Sequence, residues 1–405
     1  MPWKGVTVSE QRENFLRDHQ LNYYAVTDLA ERYSISRKTA YKWIDRYHEH
    51  GKEGLADQSR RPHSCPWQTE ERISEALIKL RQAHPGWGSG KLLDVLQRRH
   101  PRWDLPARST VAQILKNHGL VRERRRHRRE HPGCPASVTR EPNDIWAADY
   151  KGQFRLGNGA YCFPQTVSDL HTRFLLGCDG HQSVDGEKTK AHFIRLFLEY
   201  GLPQRIRTDN GVPFASNALA RLSSLSVWWI KLGIYPELIE PGHPEQNGIH
   251  ERMHRTLKQG TTHPPGRSMK QQQEKFDGFR KEYNEERPHE ALGMKRPAEI
   301  YCPSRRQIPT RVGTYDYPRH MIVRRVSRCG TIRMFGNQFF VSQTLNEEYM
   351  ALEAVDEGIY DMYFCFYLIG RYELKTSKIS GIISKVPVSV SKAEGPDAVS
   401  PMSPD

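Results

Sequence analysis

Three acidic residues in the middle of this 405-residue chain have surroundings that suit chemistry better than solvation. Asp149 lies inside Ile145-Trp146-Ala147-Ala148-Asp149-Tyr150, a run whose pattern predicts a strand. A carboxylate buried there is costly unless it is paired or metal-bound. Asp209 ends a second strand-like run, Arg205–Thr208, and Asn210-Gly211 then turns the chain away. Strand ends are where open α/β sheets expose their ligand sites. The third acid is either Glu245 or Glu251, both in PGHPEQNGIHERMHRTLK (241–258). Helix geometry, at about 100° per residue, separates the two. Ile249, Met253 and Leu257 form the expected buried face, and Glu251, Arg255 and Lys258 lie opposite it. Glu245 falls nearer the apolar side in the first turn, where it would complement the helix dipole. Glu251 is therefore chosen, with Glu245 as the alternative.

Three carboxylates of this kind suit phosphodiester chemistry. Two Mg²⁺ ions about 3.5–4 Å apart can activate an attacking oxygen and steady a departing one. Mg²⁺ takes hard oxygen ligands and keeps several waters, so a few carboxylates suffice, with Mn²⁺ as a substitute. Asp149 would bridge both ions, with Asp209 on one and Glu251 on the other. Arg255 and Lys258, on the same helix face, would grip phosphates beside them. Each acid alone is a weak signal, and TDNG arises often by chance. Their order on the elements of one domain carries the argument. Asp169 and Asp179, at predicted strand ends beside turn-like residues, are assigned structural roles. The histidines show no metal-ligand spacing on a single helix face. His243, His250 and His254 border the expected groove, and His254 is the best placed to support the acids.

The elements that must hold these acids read as an α/β domain over residues 141–300. Strands at 145–150, 161–167 and 173–178 precede a helix at 186–200 and the short strand at 205–208. An apolar piece at 227–230, a helix after Pro244 and another over 268–285 follow. That order is the order of a ribonuclease-H-like domain. Ahead of it, residues 1–63 predict three helices, the third capped by Ser36. Ala40, Trp43, Ile44 and Tyr47 make its core stripe, leaving Arg37, Lys38, Lys42 and Arg46 outward. A capped basic helix after a tight turn fits the recognition helix of a helix-turn-helix unit. Arg60 and Arg61, just beyond, would lie along a DNA backbone or minor groove.

A second helical unit spans 64–120, with Ser109 expected to cap its last helix. The linker, 121–140, holds six arginines between Arg122 and Arg129. Like charges so crowded resist packing, and Arg124, Arg125 and Arg126 are expected to track phosphates. Residues 301–375 predict a small β-barrel of about five strands, and 376–405 a disordered tail.

Composition agrees. Lys and Arg total 61 against 47 acids, a formal charge of +14 that favours a polyanionic partner. No apolar stretch reaches the roughly 18 residues a membrane span needs. The opening MPWKGVTVSE lacks the apolar run of a secretory signal. A cytoplasmic, nucleoid-associated protein is expected. The seven cysteines never fall in Cys-x-x-Cys spacing, which argues against structural zinc and against a disulfide framework.

At WAADYKG (146–152), RTDNGVPF (207–214), PGHPEQNGIHERMHRTLK (241–258) and RPHEAL (287–292) the sequence resembles the integrase-core transposases of bacterial insertion sequences, relatives of retroviral integrases. SRKTAYKWIDRYHEHGKEGLADQSRRPH (36–63) and HPGWGSGKLL (84–93) look like the same family's DNA-binding front half. The resemblance implies that Asp149, Asp209 and Glu251 are the metal-binding triad. It also implies binding to double-stranded DNA, both element ends and target, by a homo-oligomer of at least two chains. The sequence departs from retroviral integrases in two ways. Helix-turn-helix units stand where those proteins carry a His/His/Cys/Cys zinc domain, and the 41 residues between Asp209 and Glu251 exceed their spacing. Two other classes remain open: a DNA-binding regulator that kept only recognition, and a ribonuclease or structure-specific nuclease on the same fold.

Overall fold

The computed structural model describes residues 7–57, 68–121, 137–150, 152–240 and 243–380. The expected contacts at Arg60, Arg61, Arg124, Arg125 and Arg126 lie outside the described residues, as does most of the expected linker and tail. The chain divides at Thr69 into two units.

The described residues of the first unit form three α-helices, α1 (Val8–Gln20), α2 (Val26–Arg32) and α3 (Arg37–His50), followed by a 3₁₀ turn at Gly51–Leu55. Two of the starts are capped by side chains, whereas Ala25 ahead of α2 offers none. Thr7 and Glu10 form a reciprocal capping box, and Ser36 Oγ accepts from the Thr39 N–H, as expected. Phe15, Leu16, Leu29, Ala40, Trp43, Ile44 and Leu55 are the core. Arg37, Lys38 and Lys42 are exposed on α3, but Arg46 is half-buried, its guanidinium 5.2 Å from the Trp43 ring centroid. Arg46 therefore serves packing as well as charge.

The second unit opens with α4 (Glu71–Ala83), α5 (Ser89–Arg99) and α6 (Arg108–Asn117), closed on a core of Ile73, Leu77, Leu92, Leu96, Val111 and Leu115. Ala107, not Ser109, is the cap of α6, and Ser109 sits inside the helix.

The central sheet follows: β1 (Ile145–Tyr150), β2 (Phe154–Arg155), β3 (Tyr161–Asp169), β4 (Leu175–His181), α7 (Gly186–Tyr200), β5 (Arg205–Thr208), α8 (Ser224–Lys231), β6 (Tyr235–Leu238), α9 (Gly248–Thr261), α10 (Met269–Lys281) and the short α11 (Pro297–Ile300). Strands run β4-β3-β1-β5-β6, with β2 a short extension on β3. The β4–β3–β1 pairs are antiparallel and the β1–β5–β6 pairs parallel. Alternation on β1 sends Trp146 and Ala148 to a core shared with Phe193, Phe197 and Trp229 of α7 and α8. Met253, Leu257 and Phe276 of α9 and α10 cover the opposite face with Cys162 and Cys178. Three layers result, so every strand of the centre is covered on both sides. Asp185 caps α7 through the N–H groups of Glu187 and Lys188, and Ser223 and Ser226 form a box at α8.

The C-terminal region differs from the expected barrel. β7 (Ile322–Arg325), β8 (Thr331–Met334), β9 (Asn337–Phe340), β10 (Tyr349–Asp356), β11 (Ile359–Phe364), β12 (Tyr367–Glu373) and β13 (Lys378–Ser380) form an open five-stranded sheet, ordered β13-β12-β11-β10-β7, and a separate β8–β9 hairpin. Among the described residues neither sheet closes. The reason lies in what covers the apolar face: Leu222, Val227 and Ile230 share one core with Met350, Leu352, Phe364 and Ile369. Helix α8, from the central domain, thus does what closure would otherwise do. Lys378–Ser380, expected in the tail, supplies an edge strand. Cys365, like Cys162 and Cys178, is buried, whereas Cys302 and Cys329 are exposed.

The second helical region docks on the segment after α10. His84 Nδ1 lies 2.9 Å from Glu282 Oε1, and Arg98 Nη1 donates to Glu299 Oε1 at 2.7 Å. His289 of RPHEAL is buried here, and its Nε2 has no hydrogen-bond partner. Burial, with added like charge from Lys91, Arg287 and Arg173, pushes it down to about 3. An unfolded imidazole titrates near 6.5, taking up a proton that the folded chain refuses. Stability should therefore fall as pH drops from about 6.5 towards 3, with a slope contribution of about 1.4 kcal/mol per pH unit. Urea midpoints measured across that range should decline less steeply for His289→Gln; identical slopes would contradict the assignment.

Candidate active site

The sheet's mixed pairing decides where two of the acids lie. Ala148 is the register partner of Thr208 on parallel neighbours β1 and β5. The next residue on each strand is an acid, Asp149 and Asp209, so the two stand side by side at the same end of the sheet. Asp149 follows Ile145 and Ala147 in pointing away from the α7–α8 core, towards α9.

Asp209 is shaped by its turn. One carboxylate oxygen, Oδ1, accepts the Gly211 N–H at 3.1 Å. A Cβ at position 211 would come within 3.1 Å of Asp209 Oδ2, so a larger residue there would press on that carboxylate. Asn210 pins the loop from its far side: Nδ2 donates to Ile239 O at 2.8 Å, and Oδ1 accepts from Arg221 Nη1 at 2.8 Å.

Glu251 occupies the first turn of α9, exposed, with Arg255 and Lys258 also exposed along that helix. The helix begins at Gly248, so it is Glu251 rather than Glu245 that meets the positive end of its dipole. Glu245 belongs to the 3₁₀ turn Pro244–Asn247 ahead of it. The buried stripe is His250, Met253, His254, Leu257 and Thr261; Ile249, expected inside, is 37% exposed. Two histidines displace it because the underlying strand offers hydroxyls there.

Those histidines tie α9 to the sheet. Ser168 Oγ lies 2.7 Å from His250 Nδ1, and Thr166 Oγ1 2.8 Å from His250 Nε2 and 2.5 Å from His254 Nε2. Thr166 Oγ1 also donates towards Asp149 O at 3.2 Å. The other nitrogen of His254, Nδ1, is 3.5 Å from Asp149 Oδ2. His254 is only 1% exposed, so this network runs in a low-dielectric layer where each contact counts for more than in water. Glu251 lies one helical turn before His254, and residues three apart on a helix are neighbours at about 5–6 Å between Cβ atoms. The contact that holds α9 against Asp149 therefore also carries Glu251 to the same sheet end.

A second buried anchor sets the approach to α9. Arg207 and Glu237, register partners on β5 and β6, are each 3% exposed and paired through Nε and Oε1 at 2.7 Å. Arg207 Nη1 donates to Gln246 O at 3.0 Å, and Nη2 to Ser137 O at 2.8 Å. Ser137 Oγ donates to Glu237 Oε2 at 2.6 Å. Every charge is thus partnered, as a buried pair requires. Sequence reasoning missed Arg207 and Glu237; the one available signal was charge inside two short strands.

Asp169, expected to be structural, has a full set of donors: Asn143 N at 2.8 Å, and Thr172 N and Oγ1 at 2.7 Å each. Burial raises its carboxyl despite them. Asp179, given the same role, lies on β4 and pairs with Arg195 Nη2 at 2.7 Å.

Comparison with known proteins covers the same stretches of chain. The integrase core domain family matches residues 139–244, and a second integrase core domain family matches 232–297. A helix-turn-helix domain family matches residues 11–63, and a homeodomain-like domain family matches 39–115. The uncharacterized 39.2 kDa protein of insertion element IS476 from Xanthomonas euvesicatoria is 28% identical over 277 residues, covering 65% of this chain and 75% of that protein. The 31.7 kDa protein of insertion element IS407 from Burkholderia multivorans is 24% identical over 285 residues, covering 67% and 92% respectively. Among solved structures, the HTLV-2 integrase catalytic core in complex with magnesium aligns with 40% of this chain and 97% of its own at 16% identity, with a TM-score of 0.32.

Glu237→Ala should leave the Arg207 guanidinium buried without its counter-charge, at a cost of about 3–5 kcal/mol. Urea unfolding of the two proteins measures it. A loss under about 1 kcal/mol, the size of an exposed pair, would show that Arg207 is not held in a dry site.

Proposed function

We propose that this chain, a member of the integrase-core family of insertion-sequence transposases with N-terminal helix-turn-helix domains, cleaves and joins DNA at Asp149, Asp209 and Glu251 on a ribonuclease-H-like sheet. The observation that carries this is the β1–β5 register, which sets Asp149 beside Asp209, together with the His254–Asp149 contact on the helix that bears Glu251.

The donor set fits hard divalent ions. Two carboxylates stand at neighbouring strand ends and a third begins the facing helix, all oxygen ligands of the kind Mg²⁺ or Mn²⁺ takes. Two bound ions would supply activation of the attacking oxygen and charge neutralisation at the departing one. The chain's own residues do the rest. Asp149 would serve both ions, with Asp209 and Glu251 serving one each. His254 orients the Asp149 carboxylate from the dry side. Arg255 and Lys258, exposed on α9, hold phosphates. Water attacks the phosphodiester at an element end and frees a 3′-hydroxyl, which then attacks a target strand. One phosphodiester replaces another in the second step, so no nucleotide hydrolysis is needed.

Recognition of the terminal inverted repeats falls to the front of the chain. Arg37, Lys38 and Lys42 are exposed on α3, which reads a major groove in this arrangement, with Arg46 buttressing Trp43. Arg60, Arg61 and Arg124 to Arg126 add phosphate contacts. Two ends have to be joined, so the working form is a dimer or larger. Among the described residues no helix is long and apolar enough to cross a membrane.

Asp149→Asn and Glu251→Gln should each lower Mg²⁺-dependent cleavage of a labelled element end by a factor of at least about 10³, some 4 kcal/mol of transition-state stabilisation. Gel-shift affinity for the same DNA should change less than about threefold. Cleavage at the parental rate in either variant would remove that residue from the mechanism.

A further inference from the structure

The edge of the sheet remote from Asp209 carries a second group of ligating side chains. Asp179 and His181 of β4 and His192 of α7 each present a ligand atom, and these atoms all lie within 4.8 Å of one another. His192 is 4% exposed, and both its ring nitrogens are buried with no hydrogen-bond partner. A buried imidazole normally satisfies at least one of them. Its Nε2 lies 3.7 Å from Asp179 Oδ1, too long for a hydrogen bond. Two ligand atoms each about 2.0–2.2 Å from a tetrahedral ion stand roughly 3.3–3.6 Å apart, close to that gap. Gly177 makes room for the ring, since a Cβ there would collide with His192 Nε2.

The neighbours fit the same role. His181 Nε2 lies 3.1 Å from Gln165 Oε1, which also accepts from Tyr150 Oη at 3.3 Å. A carbonyl oxygen in that position keeps the proton on Nε2 and leaves Nδ1 its lone pair, the arrangement of a metal-ligating histidine with an outer acceptor. Neutral imidazole is the form that ligates. Asp179 is engaged by Arg195 Nη2, 2.7 Å from both oxygens. The Arg195 side chain is 56% exposed, free to swing into solvent, and a carboxylate has lone pairs for more than one partner.

We propose that Asp179, His181 and His192 bind one zinc-class divalent transition ion, at a site separate from the three acids. Two nitrogens and one oxygen select Zn²⁺ or Co²⁺ over Mg²⁺, which prefers oxygen throughout. Three protein ligands at a partly open edge leave a fourth position for water. The ion would clamp α7 to β4. Through Gln165 and Tyr150 the clamp reaches β1 immediately beside Asp149. The absence of Cys-x-x-Cys spacing does not bear on such a site, because its ligands come from two elements and include no cysteine.

The test uses the full, untagged chain, stripped of metal and titrated with Co²⁺ alone. One equivalent should bind with intense visible bands of a four-coordinate ion, and the Asp149→Asn/Asp209→Asn double variant should keep them. His181→Gln and Asp179→Asn should weaken Co²⁺ binding by more than the roughly 10–100-fold that loss of an outer hydrogen-bond partner costs. His181 is only half-buried, so that variant folds where a change at His192 could fail, and far-UV circular dichroism checks it. Zn²⁺ should raise the melting temperature of the parent but not of His181→Gln. Bands that persist unchanged in His181→Gln and Asp179→Asn, bands lost only in the double acid variant, or no binding of Co²⁺ would each overturn the proposal.

Discussion

Carboxylates repel one another, and a fold that sets two of them at neighbouring strand ends must fix their backbones by forces that do not involve the acids. Here that constraint is the parallel pairing of β1 with β5. Its ladder ends at Ala148 and Thr208, so the residues that follow are adjacent whatever their charge. Apolar alternation holds the register: Trp146, Ala148 and Ile206 all face the α7–α8 core, and a one-residue slip would turn them out of it. Hydrophobic packing thus bears the cost of placing like charges together, and a divalent cation would relieve what repulsion remains.

The third acid depends on this frame at one remove. α9 approaches the sheet through Met253 and Leu257, but two polar anchors set its rotation and its start. Thr166 and Ser168 receive His250 and His254 on the face beneath, while Arg207 grips the turn at Gln246. Buried polar networks of this type stabilise little unless every member is partnered, yet they discriminate sharply between one rotation and the next. An apolar stripe alone would let α9 roll; hydroxyl-to-imidazole contacts do not.

Much of this was legible in the residues. The strand at 205–208, the helix at 186–200 and the Ser36 cap were found at their observed places because each has a local signal: alternation, periodicity or a side-chain cap. What escaped was non-local. Ile249 looked buried by period, yet the stripe is rotated towards His250 and His254, whose partners lie more than eighty residues away on β3. Arg207 and Glu237 meet only because β5 and β6 pair. The expected barrel failed for the same reason: strand patterns record that one face is apolar, but not that α8 covers it. Asp179, His181 and His192 likewise come together across a strand and a helix.

The central proposal is that the acids at 149, 209 and 251 hold the same metal ions at one sheet end. The direct measurement is a crystal structure of the protein bound to an element-end DNA and soaked in Mn²⁺, with anomalous diffraction recorded at the manganese edge. The account predicts one or two peaks bounded by the Asp149, Asp209 and Glu251 carboxylates, about 3.5–4 Å apart when both are present, beside a backbone phosphate. Peaks lying elsewhere, with Glu251 turned away from the two aspartates in the DNA complex, would contradict it.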